Sequence, residues 1–316
     1  MADAEYLLDP INPLSWRRVL RRIAEFRAEA VVIPWWVPYW APAWSTIGRR
    51  INRLPESPKL LYICHNVYPH ESKRWDRAAA KIALSPGDGY IVHASTDEQK
   101  LLDLFPGARV RVTPLPSISD LLTVEQAPLP VQVPDDRPLL LFCGFVRPYK
   151  GLDILLDALP SVLENQNVHL LIAGEFWEGG DVYRTQIEEL GLADAVTIID
   201  RYIPNELLAT CVDRAAVVVL PYRSATQSGI VQLAFGKNTP VITTDVGGLA
   251  ESVDHGRTGM VVPPEDSSAL ADAIVQYFDQ DLGPQFEQNI KNDSERFGWK
   301  RLIVQLEELA GPEAGV

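Results

Sequence analysis

The stretch LLLFCGFVRPYKGLDILLDAL, residues 139–159, decides the fold of this chain. Its first six residues form a continuous apolar run that ends in glycine, a pattern typical of a strand buried on both faces. A turn bounded by Gly144 and Gly151 follows, and residues 152–164 then place apolar side chains at the spacing of an amphipathic helix. A buried strand that leads directly into a helix is the repeating unit of parallel α/β sheets.

The same alternation of apolar runs and helical patterns extends along both halves of the chain. Further strands are predicted at residues 30–35, 59–65, 89–95, 109–114, 168–174, 195–200, 215–221, 240–245 and 259–263. Helices are predicted at residues 16–27, 76–83, 96–104, 182–190 and 206–212, with a helical tail at 285–310. The predicted fold class is therefore α/β, with two Rossmann-like domains in tandem.

The length and the charge distribution indicate where the domains divide. A chain of 316 residues is longer than one hydrophobic core usually supports. Residues 1–134 hold 16 Lys+Arg and 14 Asp+Glu, a net charge of +2, whereas residues 135–316 hold 13 and 28, a net charge of −15. The segment APLPVQVPDDRP, residues 127–138, is proline-rich, as linkers are. We predict domains at 1–134 and 135–284, and C-terminal helices at 285–316 that pack back toward the first domain.

The composition excludes several classes of protein. The apolar content of 47% argues against disorder, and no apolar run approaches the 18 residues of a spanning helix. The acidic second half would repel nucleic acid, so we expect no nucleic-acid partner. The start, MADAEYLLDP, lacks the apolar core of a secretory signal, and Cys64, Cys143 and Cys211 stand in apolar stretches without metal-ligand spacing. These features predict buried thiols in a reduced, cytoplasmic protein.

Three turns that follow predicted strands carry glycines or other small residues. The first, residues 144–151, contains Arg147 and Lys150, which would neutralise a diphosphate while the glycines permit its close approach. The alternative is a surface turn whose cations are solvated. The third turn, residues 245–251, has the same order of strand, glycines and helix. Three such turns at one sheet edge favour a phosphate-binding cleft more than any one of them does.

The second turn, residues 222–230, leads into a helix. The free N–H groups at a helix N-terminus favour an anion, and here they lie near residues 228–231. Ordinary capping by Thr226 or Ser228 would explain the same small residues without a ligand.

Residues 139–280 resemble the donor-binding domain of the family-4, GT-B retaining glycosyltransferases, also described as glycosyl transferases group 1. The resemblance is carried by GFVRPYKGLDILLDAL (144–159), LLIAGE (170–175), DRYIPNELL (200–208), LPYRSATQSGIVQLA (220–234) and PVITTDVGGLAESVDHGRTGMVVPPED (240–266). It implies a GT-B fold, with two Rossmann-like domains facing across a cleft. It also implies retaining transfer of a sugar from a nucleotide diphosphate sugar to an acceptor whose identity is open: a glycan, a lipid-linked molecule or a small molecule.

The resemblance also implies which residues contact the donor. Lys150 matches the family's lysine on the diphosphate, whereas Phe145 stands where the usual arginine would be, so Arg147 is the nearest substitute. The family's two glutamates fall here at Thr226 and near Gln232 or Ala234, and amide hydrogen bonds from Gln227 and Gln232 could replace them. The full set of expected donor-binding residues is Gly144, Tyr202, Ile203, Tyr222, Thr226, Gln227, Ser228, Gly229, Ile230 and Gln232.

The first half resembles the acceptor-side domain of one subgroup in SWRRVLRRI (15–23) and HNVYPHE (65–71). The first domain is expected to be shortened, because the family's first two βα units have no counterpart before residue 15. His65 is the candidate catalytic histidine, although a histidine that merely caps a strand end is the alternative. Further acceptor-side candidates are Trp35, Trp36, His70 and Glu71.

The predicted helix at 16–27 and the tryptophan-rich stretch at 35–44 allow two interpretations. An apolar stripe opposite five arginines could bind a membrane surface as a peripheral contact. Alternatively, the stripe packs into the core, and the aromatic residues form a loop beneath a lid. A shortened first sheet would also leave an edge that a second copy could cover, which would give a homodimer.

No cofactor or metal ion is expected. The only D-x-D, Asp279-Gln280-Asp281, follows a helical pattern and not the strand end where metal-dependent transferases place theirs. The main alternative to an enzyme is a nucleotide-sugar-binding subunit, or an inactive homologue that lacks a complete acceptor domain. A nucleotide-sugar epimerase is a third interpretation, which the lack of a convincing acid–base carboxylate pair disfavours.

Overall fold

The computed structural model describes residues 4–54, 57–68, 74–117, 127–177 and 179–311. The chain divides into two compact units. Unit 1 contains residues 1–114 and 300–316, and unit 2 contains residues 115–299. In the described part of the chain, no helix is both long and apolar enough to cross a membrane.

Unit 1 contains a parallel sheet of four strands in the order β1-β2-β3-β4. The strands are β1 Ala30–Trp35, β2 Lys59–Cys64, β3 Gly89–Val92 and β4 Val110–Val112. The helices are α1 Pro13–Phe26, α2 Ala41–Ile51, α3 Arg74–Leu84, α4 Ser95–Leu104 and, from residue 300 on, the C-terminal helix α12, Trp299–Ala310. Leu302 and Leu309 of α12 pack against Leu61 and Ile91 of the sheet.

Unit 2 contains a parallel sheet of six strands in the order β10-β9-β8-β5-β6-β7. The strands are β5 Leu139–Cys143, β6 His169–Ala173, β7 Val196–Ile199, β8 Val217–Leu220, β9 Val241–Thr244 and β10 Gly259–Val262. The helices are α5 Leu152–Asn165, α6 Gly180–Glu189, α7 Asn205–Arg214, α8 Gly229–Gly236, α9 Gly247–Ser252, α10 Ser267–Asp279 and α11 Gly283–Asn292.

Strand β5 is buried on both faces of the sheet, as its continuous apolar run predicted. All five of its residues are buried. Leu140 and Phe142 belong to one core cluster, whereas Leu139, Leu141 and Cys143 belong to another, because successive side chains of a strand point to opposite faces. The predicted strands are all present, the predicted α/β class is confirmed, and the three cysteines are buried free thiols.

The division of the chain falls after residue 114, not near 134. The segment 127–134 packs on unit 2, where Leu129, Val131 and Val133 contact its core. The backbone N–H of Ser117 also donates to the carbonyl of Phe297 at 2.7 Å. The proline-rich segment was interpreted as a linker because proline breaks helices, but its alternating apolar residues give it a surface that packs on the core. The predicted C-terminal segment 285–316 is also divided between the two units. Helix α11 belongs to unit 2, and the chain from residue 300 on, which includes most of α12, belongs to unit 1.

The tryptophan-rich stretch is not a loop. Residues 41–51 form α2, and Pro42 lies in its first turn. The backbone N–H groups of a first turn have no partner within the helix, so proline is tolerated there. In α1, Leu20 is buried, and Trp16 and Ile23 pack against the core of unit 1. The apolar stripe of α1 thus has a partner within unit 1, which favours the structural interpretation of this helix over membrane contact.

Candidate functional site

One cavity of about 380 Å³ lies at the carboxyl edge of the unit 2 sheet, where ligands of parallel α/β sheets bind. Its walls come from the segments that follow four neighbouring strands, β8, β5, β6 and β7. The lining residues are Gly144, Phe145, Tyr149, Lys150, Gly174, Glu175, Tyr202, Ile203, Asn205, Leu208, Tyr222, Gln227, Ser228, Gly229, Ile230 and Leu233.

Glycines bring these segments together. A Cβ on Gly174 would overlap the carbonyl oxygen of Gly144, and a Cβ on Gly151 would overlap that of Pro221. Gly144 and Gly151 also have φ values of +95° and +67°, which residues with a side chain rarely adopt. The backbones after β5, β6 and β8 can therefore approach one another only because these positions lack side chains.

Lys150 is the candidate residue whose environment is most unusual. Its side chain is only 8% exposed, and its Nζ lies 5.4 Å from the centroid of the Tyr222 ring. Burial, and to a smaller extent the nearby cation of Arg147, lower the pKa of Lys150 to about 8. Within the described residues, no carboxylate lies at ion-pairing distance from this ammonium. A largely desolvated cation that faces a cavity without a counter-ion is suited to an anionic ligand.

An ion pair fixes the turn that carries Lys150. The backbone N–H of Arg223 donates to the carbonyl of Tyr149 at 2.7 Å, and its guanidinium donates to the carbonyl of Pro148 at 2.7 Å. The same guanidinium donates to both carboxylate oxygens of Asp153, at 2.9 and 2.6 Å. Burial alone would raise the pKa of Asp153, but these bonds hold it below its ordinary value. The turn before α5 is thereby attached to the segment after β8.

The N-terminus of α8 forms the wall beside Lys150. Ser228 is its N-cap, and the Oγ of Ser228 accepts from the N–H of Ile230 at 3.2 Å. Both Gly229 and Ile230 line the cavity, and the space beside Gly229 is open. Capping and anion binding are thus compatible here, since the cap uses one N–H group and the positive end of the helix dipole still faces the cavity.

Three expected donor residues do not line the cavity. The guanidinium of Arg147 lies over the ring of Trp177, 4.0 Å from its centroid. Arg147 follows buried Val146 in an extended backbone, so its side chain points away from the side that Val146 occupies. Thr226 and Gln232 are buried within unit 2. The other expected donor residues, together with Lys150, do line the cavity.

Seven of the lining residues were not predicted from the sequence. They are Phe145, Tyr149, Gly174, Glu175, Asn205, Leu208 and Leu233. Glu175 had an available signal, because it directly follows a predicted strand end and lies in the quoted stretch LLIAGE. The ring of Phe145, which lines the cavity, contacts the rings of Trp177 and Tyr202, with centroid distances of 5.0 and 6.2 Å.

The acceptor-side candidates of unit 1 have different environments. The ring of His65 lies 4.3 Å from Trp36 and 5.0 Å from His93, measured between centroids. Burial, and next the nearby His93, lower the pKa of His65 to about 4. Trp35 is fully buried and donates from Nε1 to the carbonyl of Val67 at 3.0 Å, so it stabilises the core and does not face an acceptor. The candidates at positions 70 and 71, His70 and Glu71, lie outside the described residues.

The D-x-D sequence lies at the end of helix α10. Asp279 is the last residue of that helix and accepts a hydrogen bond from Gln166, which follows α5 and precedes β6. This places Asp279 at the amino edge of the sheet, opposite the cavity. Among the residues that the structure describes, no three His, Cys, Asp or Glu side chains are grouped as metal ligands would be.

The fold and the position of the cavity define a parallel α/β protein of the GT-B kind. A search among solved structures finds the same fold in sucrose-phosphate synthase of Thermosynechococcus elongatus, with a TM-score of 0.70, 22% identity, and coverage of 94% of this chain and 76% of that one. It also finds Anabaena Alr3699/HepE, whose crystal structure contains UDP, with a TM-score of 0.69, 18% identity, and coverage of 96% and 84%.

Residues 137–280 match the family described as glycosyl transferases group 1. The D-inositol 3-phosphate glycosyltransferase of Corynebacterium glutamicum is 28% identical over 69% of this chain and 53% of its own length. The alpha-D-kanosaminyltransferase of Streptomyces kanamyceticus is 28% identical over 46% of this chain and 37% of its own. The chain spans about half the length, or less, of these two curated relatives.

Proposed function

We propose that this chain is a retaining glycosyltransferase that moves a sugar from a nucleotide diphosphate sugar to an acceptor. The observation that carries the proposal is the buried ammonium of Lys150, which has no carboxylate counter-ion among the described residues and lines a cavity beside the N-terminus of α8. The group 1 match covers this whole region, and crystal structures of the structural neighbour HepE contain UDP or UDP-glucose.

In this proposal, the diphosphate binds between Lys150 and the N-terminus of α8. As the bond from sugar to phosphate breaks, negative charge accumulates on the departing diphosphate. A cation and helix N–H groups that are already in place stabilise that charge without reorganisation, and they contribute most where the charge is greatest. Arg223 acts as a positioning residue, because it holds the turn that carries Lys150.

The acceptor side of the proposal rests on His65. Its low pKa keeps the imidazole neutral near pH 7, so a ring nitrogen can accept a hydrogen bond from an acceptor hydroxyl. Diphosphate binding is assigned to Lys150 and α8, so we propose that catalysis does not require a metal ion.

A donor-hydrolysis assay tests the proposal and separates it from the main alternative. The protein is incubated with UDP-, GDP- and ADP-glucose. Binding of each donor is measured by calorimetry, and release of the nucleoside diphosphate is measured by chromatography. A glycosyltransferase slowly transfers the sugar to water and releases the nucleoside diphosphate. A nucleotide-sugar-binding subunit binds the donor without hydrolysing it. Binding without release for every donor that binds, or absence of both binding and release for all three donors, would contradict the proposal.

A further inference from the structure

The cavity is lined by a cationic and an anionic side chain, and the proposed function gives no role to the anionic one. Among its described lining residues, Lys150 carries the only cationic side chain and Glu175 the only carboxylate. Lys150 belongs to the segment after β5, and Glu175 directly follows β6, the next strand in the sheet. No cation in the described parts of the chain lies at ion-pairing distance from Glu175. The site thus presents an unpaired anion beside an unpaired cation.

The sheet order places the cavity walls in sequence. The N-terminus of α8 follows β8, Lys150 follows β5, Glu175 follows β6, and Tyr202 follows β7. With about 4.8 Å between neighbouring strands, these four walls extend over roughly 14 Å. Cationic and N–H groups thus stand at one end, a carboxylate lies between, and the uncharged side chains of Tyr202, Ile203 and Leu208 stand at the other end.

A nucleoside diphosphate has a matching order of groups. Its phosphates suit the cationic end, and its flat base suits the end with the aromatic ring of Tyr202, which is 61% exposed. The pentose, which joins the two, then lies over β6 beside Glu175. A carboxylate accepts hydrogen bonds but donates none, so it suits the two neighbouring hydroxyls of a ribose.

Hydrogen bonds of the backbone fix the main chain at Glu175. Its carbonyl accepts from the N–H of Val146 at 2.9 Å, and the next residue, Phe176, donates its N–H to Asp200 at 3.2 Å. Gly174, which precedes it, touches the carbonyl of Gly144 so closely that no side chain fits there. A ligand that binds here would meet a carboxylate on an ordered main chain and would not have to order a loop.

We propose that Glu175 binds the ribose hydroxyls of the nucleotide donor and makes this site selective for ribonucleotides over deoxynucleotides. The inference rests on the proposed function, since it presumes a nucleotide in this cavity. It assigns ribose binding to a carboxylate that follows β6. Thr226 and Gln232 provide no carboxylate for this purpose, and both side chains are buried outside the cavity.

The test is a calorimetric titration with three kinds of ligand. UDP, GDP and ADP are titrated first, and the tightest binder is compared with its 2′,3′-dideoxy form and with inorganic pyrophosphate. The chains compared are the unaltered protein, Glu175→Ala, and the control Glu189→Ala, which removes an exposed carboxylate from α6 outside the cavity. Far-ultraviolet circular dichroism and thermal unfolding establish that each variant is folded.

The proposal predicts that Glu175→Ala weakens binding of the ribonucleotide but not of the other two ligands. Glu175→Ala should weaken binding of the ribonucleotide about 10- to 100-fold, the range for hydrogen bonds to a charged group. It should leave the dideoxy nucleotide and pyrophosphate unchanged or more tightly bound, because the variant lacks an anion near the phosphates. Glu189→Ala should change none of the three.

Two results would overturn the proposal. If Glu175→Ala leaves ribonucleotide binding intact, or weakens the ribonucleotide and the dideoxy nucleotide equally, Glu175 does not bind the ribose, while the proposed function stands. If none of the three ribonucleotides binds the unaltered protein, the proposed function fails and this inference fails with it.

Discussion

Replacement of Lys150 by methionine should make the protein more stable while it removes the proposed diphosphate contact. Methionine has a similar length and no charge, so Lys150→Met mainly removes the desolvation cost of the ammonium. The pKa of Lys150 falls from 10.5 to about 8 on folding, which corresponds to about 3 kcal/mol of unfavourable free energy near pH 7. Loss of the contact with the Tyr222 ring offsets about 1 kcal/mol of this. We expect a net gain of about 2 kcal/mol.

The dependence on pH distinguishes this explanation from a general packing effect. Because the pKa is lower in the folded chain, the unfolded chain retains the proton over the range from about pH 8 to 10.5. The stability of the unaltered protein therefore rises with pH relative to that of Lys150→Met, and the advantage of the variant shrinks toward pH 10.5. Titrations of buried cysteines and tyrosines occur in both proteins, so they largely cancel in the difference.

Amide hydrogen exchange in β5, β6 and β8 reports the stability of unit 2 by itself. We would measure it at pH 7, 8 and 9 in the unaltered protein, in Lys150→Met and in the control Lys291→Met, which replaces an exposed lysine of α11. The control should differ from the unaltered protein by less than about 0.5 kcal/mol. If Lys150→Met is less stable than the unaltered protein, or if its advantage does not shrink with pH, the ammonium is not desolvated and the reasoning fails.

Three further predictions follow from the same site. Donor affinity should fall above about pH 8 as Lys150 loses its proton, whereas the affinity of Lys150→Arg should change little up to pH 10. Calorimetry at a series of pH values measures both affinities, and an equal loss of affinity in the two proteins would contradict this prediction. EDTA should leave nucleotide affinity unchanged, and a loss that Mn²⁺ restores would contradict metal independence. Gly151→Ala should destabilise by about 2 kcal/mol or more beyond Gly191→Ala in thermal unfolding, because both glycines have a φ of +67° but only Gly151 abuts the Pro221 carbonyl; equal losses would contradict the close approach.

Local patterns predicted the part of the site that one strand and one turn determine. Lys150 was predicted because its turn follows a buried strand and opens a helix, and both features lie within 20 residues of sequence. Arg147 stands three residues earlier in the same turn, but the extended backbone directs it onto Trp177, 30 residues along the chain. No periodicity in the sequence encodes that distant ring contact.

Packing between distant segments limited the remaining predictions. Trp35 and Trp36 were both acceptor-side candidates because they stand at the end of a predicted strand, yet Trp35 is buried and Trp36, the next residue, is exposed. The burial of Lys150 was also not predicted, since a lysine among polar turn residues is usually exposed. Its burial depends on Tyr222 and on the segment after β8, about 70 residues away.

Calorimetric titration of UDP, GDP and ADP into the unaltered protein, Lys150→Met and Lys291→Met tests the central claim most directly. We predict that at least one nucleotide binds the unaltered protein and Lys291→Met equally, and that it binds Lys150→Met at least about tenfold more weakly, as expected when a charged partner of a phosphate is lost. Equal affinity in all three proteins, with Lys150→Met fully folded, would show that the buried ammonium does not bind the diphosphate, and would contradict the account.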